Sequence, residues 1–108
     1  MSEEKKTNQN PNKLNIELVE EVAEGIYCNL SIISHMPTEF IFDFVRMTPG
    51  VPKAKVKSRI IMNPIQAKSL MRVLTNNIKK YEANFGTIKE NQGSNLPPIN
   101  FGEPPSKA

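Results

Sequence analysis

The chain has 108 residues, a net charge of +3 at neutral pH and a single cysteine, Cys28. This length has room for one domain, and a lone cysteine excludes an intrachain disulfide. No secretory signal and no apolar run of membrane-spanning length is present, so we expect a cytoplasmic protein with no membrane partner.

Both ends of the chain are polar and rich in Asn, Pro, Gly and charged residues. They carry too few apolar side chains to offset the entropy lost on ordering. We therefore predict a disordered N-terminal tail over residues 1–12, a single domain over residues 13–88 and a disordered Pro-rich C-terminal tail over residues 89–108. A domain of this size is marginal alone, which favours a homo-oligomer of two or more copies.

Apolar side chains fall on even positions between Leu14 and Met62, a period typical of strands. We predict four strands, at residues 13–19, 26–34, 39–47 and 53–62, joined by connections that contain Gly or Pro. The shared parity places the even positions of all four strands on one face. A register in which paired positions of the last two strands sum to 100 puts Asp43 opposite Lys57. The same register pairs phenylalanines 40, 42 and 44 with Ile60, Ser58 and Val56.

From Pro64 the apolar period changes to that of a helix. Asn63, Pro64 and Gln66 form a helix start, and Gly86 is a suitable stop. The predicted fold is α+β, a four-stranded antiparallel meander followed by one long C-terminal amphipathic helix (ββββα). At 1.5 Å per residue this helix is about 33 Å long, so Tyr81 and Phe85 would extend past the sheet and favour packing on a second copy.

Charge is divided along the chain: residues 1–45 carry a net −5, whereas residues 46–89 carry +9. The predicted outer face of the last strand is basic, and a tyrosine lies on a neighbouring strand. A basic strand beside an aromatic ring can follow a phosphate backbone while bases stack. The alternative for such a strand is a face that is simply solvated. The candidate residues for binding nucleic acid or a protein partner are Tyr27, Lys53, Lys55, Lys57 and Arg59.

The middle of the same outer face is less polar than a solvated face requires. Ile33, Ile41 and Val45 lie there, and apolar patches of this kind often mark an interface. We therefore predict an interface between copies at these residues, with Tyr81 and Phe85 of the helix as its second part.

No catalytic constellation stands out. His35 is the only histidine, and its neighbours Ser34 and Glu39 are expected to form a network of turn hydrogen bonds. The five glycines are dispersed, so no phosphate-binding loop occurs. We expect no enzyme activity, no metal, no cofactor and no small-molecule substrate.

Several short motifs resemble a known family. They are Ser34-His35, Glu39-Phe40, Asp43-Phe44, residues 59–64 (RIIMNP), Tyr81-Glu82 and Phe85-Gly86. Over residues 14–88 the chain resembles the bacterial domain-of-unknown-function family 3467, with small departures at Met36 and in the turn at residues 48–52. That family has no activity to transfer, so the resemblance assigns no residue a role. Genes of the family sometimes lie beside those of large RNA polymerase subunits, which implies partners in transcription.

The order ββββα is also similar to Whirly-type single-strand binders and to SecB-type export chaperones. These analogies define the competing hypotheses. The first is a non-enzymatic homo-oligomeric adaptor that binds RNA polymerase or nucleic acid through the basic strand. The alternative is a SecB-like holdase that binds unfolded polypeptides, and the third is a purely structural oligomerising protein.

Overall fold

The computed structural model describes residues 12–90. Its elements are α1 (Glu20–Ala23), β1 (Leu30–Met36), β2 (Glu39–Arg46), β3 (Lys55–Met62) and α2 (Pro64–Phe85). The strands form one antiparallel sheet in the order β1-β2-β3. The predicted α+β class, with an antiparallel sheet followed by a long C-terminal helix, is confirmed. The prediction of a fourth strand is wrong, because the described residues form a sheet of three strands.

The chain divides into two compact units, with the division between Pro64 and Ile65. The sheet belongs to the first unit and α2 to the second. The predicted single domain over residues 13–88 stays a prediction. The predicted disordered tails lie outside the described residues, apart from Asn12, Lys89 and Glu90.

The segment expected to form the first strand has no regular secondary structure. Residues 13–19 precede α1, and Val19 has an extended backbone with φ −76° and ψ 156°. Leu14, Ile16 and Leu18 are 81%, 84% and 69% exposed. Alternating apolar residues favour a strand only when a neighbouring strand supplies hydrogen bonds and a surface to pack on. Within residues 12–90 no strand pairs with this segment.

A two-residue turn, Pro37-Thr38, joins β1 to β2 and fixes their register. Met36 pairs with Glu39, so every pair in this ladder sums to an odd number. Ile33 therefore lies opposite Phe42, and Ile32 lies opposite Asp43. Directly paired residues share a face of the sheet, so the prediction of one parity for all strands is wrong between β1 and β2.

The register of β2 and β3 differs from the predicted one by two residues. Phe42 pairs with Ile60 and Asp43 with Arg59, not with Lys57. A shift of two keeps each side chain on its predicted face at this end of the ladder. A β-bulge follows: Phe44 pairs with Ser58 but Val45 pairs with Val56, so β3 has one extra residue, Lys57, at this point.

The most buried side chains lie on β2, the central strand. Phe42 and Val45 are 7% and 3% exposed, and Asp43 is 1% exposed. A central strand has a neighbour on each edge, which explains why burial is concentrated there. The buried residues lie on both faces of this strand, with Phe42 on one face and with Val45 and the Asp43 carboxylate on the other.

Helix α2 begins and ends where the sequence predicts. It starts at Pro64, and Gly86 follows its last residue with φ +98°, a conformation that favours glycine. The Gly86 N–H donates to the Glu82 carbonyl oxygen at 2.9 Å, and the Ile88 N–H donates to the Glu82 carboxylate at 3.0 Å. No residue of α2 is buried. None of the described helices is long and apolar enough to cross a membrane.

Candidate functional site

Four basic side chains surround one shallow depression at the end of the sheet where β2 stops and β3 starts. Its volume is about 240 Å³. Arg46 is the last residue of β2 and pairs with Lys55 in the ladder, while Lys57 is the extra residue of the bulge. The basic cluster consists of Arg46, Lys53, Lys55 and Lys57, and the remaining lining residues, Thr48 and Val51, are uncharged.

A tight turn brings the chain back into this depression after β2. The Val51 N–H donates to the Thr48 carbonyl oxygen at 3.1 Å, and Gly50 has φ +81°. Pro at the second position and Gly with positive φ at the third are typical of a type II turn. The turn returns the chain toward β3, so that Lys53 lines the same depression as Arg46.

Tyr27 lies beside the basic cluster. The prediction that it belongs to a strand is wrong, because β1 begins at Leu30. Tyr27 precedes β1, and its ring is exposed. The Arg46 guanidinium carbon is 5.8 Å from the centroid of that ring, within the range of a cation–π contact. An exposed aromatic ring in contact with one cation of a basic cluster is an arrangement on which a nucleic-acid base can stack.

The Asn29 side chain fixes the backbone from which Arg46 projects. Its Nδ2 donates to the Met47 carbonyl oxygen at 3.1 Å, and its Oδ1 accepts from the Met47 N–H at 2.8 Å. The Asn29 N–H also donates to the Val45 carbonyl oxygen at 2.9 Å. These three bonds hold Val45 and Met47, the residues on both sides of Arg46. Asn29 itself is two residues after Tyr27 in the chain.

Arg59 is occupied by a buried carboxylate and lies outside the basic cluster. Its Nε and Nη2 donate to Asp43 Oδ1 and Oδ2 at 2.7 and 3.0 Å. The Asp43 side chain is 2% exposed, whereas the Arg59 side chain is 52% exposed. A bidentate pair of this kind compensates the buried charge. The structure therefore gives Arg59 a partner within the sheet, where the sequence hypothesis had it facing an external ligand.

This pairing changes the acid–base behaviour of both groups. Hydrogen bonds from Arg59 hold the pKa of Asp43 below its ordinary value, against the opposing effect of burial. The same bonds raise the pKa of Arg59. Ionised Asp43 thus stabilises the fold above the ordinary carboxyl pKa of 3.8, and this stability is lost as the pH falls through the lower pKa of the folded state.

We expect Arg59→Gln to move acid unfolding to higher pH. Without the guanidinium, the buried Asp43 carboxylate loses its partner, its pKa in the folded state rises, and it takes up a proton earlier on acidification. Circular dichroism as a function of pH measures the midpoint. Arg46→Gln removes the same charge without touching Asp43 and should leave the midpoint in place. Equal shifts in both variants would contradict the role given to the Asp43–Arg59 pair.

The structure separates the residues of the predicted apolar interface. Ile33 shares a face with Phe42, whereas Ile41 and Val45 lie on the opposite face of β2. Ile33 is exposed, Ile41 is half-buried and Val45 is buried. An interface at these residues stays a prediction, but one partner surface would not contact all three at once.

The other part of the predicted interface lies on α2. Tyr81 and Phe85 are both exposed, with ring centroids 5.0 Å apart. A second depression, of about 470 Å³, adjoins the end of this helix and has one charged lining residue, Lys80. Its lining gives no convergence of charge comparable to the basic cluster.

Sequence reasoning missed one member of the basic cluster, Arg46. Its even number placed it on the apolar face under the assumption of one parity for all strands. The bulge after Phe44 and the connection after Met47 bring it beside Lys53 and Lys55. Its charge in the otherwise apolar set of β2 was the available signal. Among the described residues there is no group of three or more His, Cys, Asp or Glu side chains that could hold a metal ion.

Fold and site together define a small α+β module with a three-stranded meander, a long helix and a basic depression at one end of its sheet. The chain belongs to the family described as Protein of unknown function (DUF3467), whose model matches residues 1–90. This confirms the family resemblance. No curated protein and no solved structure matches the chain, and the likeness to Whirly-type and SecB-type modules is not confirmed.

Proposed function

We propose that this protein is a non-enzymatic, homo-oligomeric binding module that holds the phosphate backbone of a nucleic acid in its basic cluster. The observation that supports this function is the convergence of Arg46, Lys53, Lys55 and Lys57 on one depression without a lining carboxylate. Tyr27 adds an exposed ring at the edge of the cluster through its contact with Arg46.

Electrostatics favours this function over a solvated face. Like charges gathered around one depression repel each other, and the repulsion lowers stability unless an anion binds between them. The one basic side chain of β3 that has a carboxylate partner in the sheet, Arg59, lies outside the cluster. A phosphate chain would place several negative charges among these cations at once.

Transcription is the cellular setting that we propose, with RNA polymerase as the protein partner. This part of the proposal comes from the family resemblance and implies a cytoplasmic protein. Binding to the nucleic acid that the polymerase carries would bring the module to this partner.

The salt dependence of oligonucleotide binding tests the proposal. Four phosphate contacts to a single strand predict a slope of about −3 in a plot of log affinity against log salt concentration. Fluorescence anisotropy with a labelled single-stranded oligonucleotide, between about 50 and 200 mM salt, measures this slope. Arg46→Gln should weaken binding and make the slope shallower by about 0.7. Arg72→Gln, on α2, is the control and should change neither value, and an affinity independent of salt would overturn the proposal.

A SecB-like holdase is the second candidate. The apolar stripe of α2 supports it, because Met71, Leu74, Tyr81 and Phe85 are all exposed. Capture of an unfolded polypeptide by this stripe would vary little with salt, in contrast to phosphate binding. A protein that bound neither ligand would favour the third hypothesis, a purely structural oligomerising role.

A further inference from the structure

Residues 13–19 carry alternating apolar side chains and pair with no strand in the described part of the chain. We refer to these residues as the exchange segment. Leu14, Ile16 and Leu18 share one parity and are among the most exposed apolar side chains of the protein. The intervening positions are polar, Asn15 and Glu17. This alternation is typical of a strand with one buried face, and exposing that face to water is unfavourable.

The outer edge of β1 offers the missing neighbour. Among the described residues, β1 pairs with β2 on one side only. Its sequence, LSIISHM, contains no Lys, Arg, Asp, Glu or Pro. The other edge strand, β3, carries Lys55, Lys57 and Arg59. Natural sheets protect their edges with charged residues and proline, so β3 is a protected edge and β1 is open to strand addition.

The two faces of β1 also differ in what a new strand would meet. Leu30 and Ile32 are half-buried and share a face with Val45 and Asp43. The opposite face of β1 carries Ser31, Ile33 and His35. An added strand that placed its three apolar side chains on the Leu30 and Ile32 face would extend that apolar surface. Its polar residues would then continue the other face.

We propose that the exchange segment of one copy adds to the outer edge of β1 in a second copy, and that the exchange is reciprocal. Each sheet then has four strands, the fourth supplied by the partner, and a two-fold axis closes the dimer. The proposal rests on the homo-oligomeric part of the proposed function and specifies its interface. It uses none of the four residues of the basic cluster, which lie on β2, on β3 and in the connection between these strands.

The first test compares two neighbouring substitutions in the full chain. Ile16→Gln places a polar group on the apolar side of the exchange segment, whereas Glu17→Gln creates the same residue on the other side. Sedimentation equilibrium should give a dimer for the unmodified protein. We expect Ile16→Gln to raise the dimer dissociation constant at least tenfold and Glu17→Gln to leave it unchanged. An unmodified protein that is monomeric, or an Ile16→Gln dimer of full affinity, would overturn the proposal.

The second test identifies the contact and holds even if Ile16→Gln impairs folding. In a Cys28→Ser background, copies with Ile16→Cys are mixed with copies with Ile32→Cys and mildly oxidised. We expect disulfide-linked pairs of the two different copies, and few when Ile33→Cys replaces Ile32→Cys. A dimer that forms no such link, as packing through α2 alone would give, contradicts strand exchange.

The two proposals fail in distinguishable ways. A monomer that binds oligonucleotide with the expected salt slope would remove the exchange and keep the phosphate site. A cross-linked dimer that does not bind oligonucleotide would keep the exchange and remove the phosphate site.

Discussion

Reversing two charges of the basic cluster, in a Lys55→Glu, Lys57→Glu variant, is expected to abolish oligonucleotide binding. The change removes two of the four cations that surround the depression and puts two carboxylates in their place. Phosphates that were attracted would then be repelled, and affinity at low salt should fall at least about tenfold. Fluorescence anisotropy on the variant and the unmodified protein measures this loss.

A matched variant separates the effect of position from that of net charge. Lys79→Glu, Lys80→Glu reverses two adjacent charges on α2, outside the basic cluster. It should retain most of the affinity, and both variants should keep the oligomer size of the unmodified protein. If the Lys55 and Lys57 variant still binds normally, the basic strand is only a solvated edge.

The largest effect on stability is expected from Phe42→Ala. Phe42 is buried in the central strand, between its ladder partners Ile33 and Ile60, with its ring centroid 6.4 Å from that of Phe44. Removing a buried phenylalanine ring lowers the free energy of unfolding by about 3 to 5 kcal/mol. A small domain has little more than this in total, so the variant should be largely unfolded at room temperature. Urea unfolding followed by circular dichroism measures the change.

Phe85→Ala is the control for this loss. The same atoms are removed from a side chain that is 74% exposed, so the free energy of unfolding should change by less than about 0.5 kcal/mol. A large loss at Phe85 would mean that a second copy covers this ring. That result would favour the predicted interface on α2 over the exchange segment as the contact between copies.

Local patterns predicted those elements whose signals are complete within a few residues. The start of α2 at Pro64 and its end before Gly86 follow from the residues at those two positions. Strand β2 follows from its three alternating phenylalanines. The segment at residues 13–19 has an equally clear alternation. An alternating pattern forms a strand only when another strand pairs with it, and no strand in the described part of the chain does so.

Register was beyond the reach of the apolar pattern because turn lengths decide it. A two-residue turn gives paired positions an odd sum, so once Pro37-Thr38 is the whole turn, β1 and β2 have opposite parity. The number of residues in each turn and bulge also determines which side chains meet at the site. Lys53, Lys55 and Lys57 were recognisable from charge, whereas the partner of Asp43 and the position of Arg46 depend on the ladder itself.

The bulge in β3 has a consequence for how this sheet tolerates insertions and deletions. Lys57 belongs to β3 but pairs with no residue of β2. Paired positions therefore follow one register on one side of Lys57 and a different register on the other side, and we call these two registers frames. A length change in the connection at residues 47–54 leaves both frames intact. A deletion of Lys57 would merge them without changing the pairs, because Lys55 would stay opposite Arg46, and it would remove one cation from the basic cluster. We therefore expect length changes at either place to spare the ladder and to act on the depression, which loses a cation at the bulge or has Lys53 displaced in the connection.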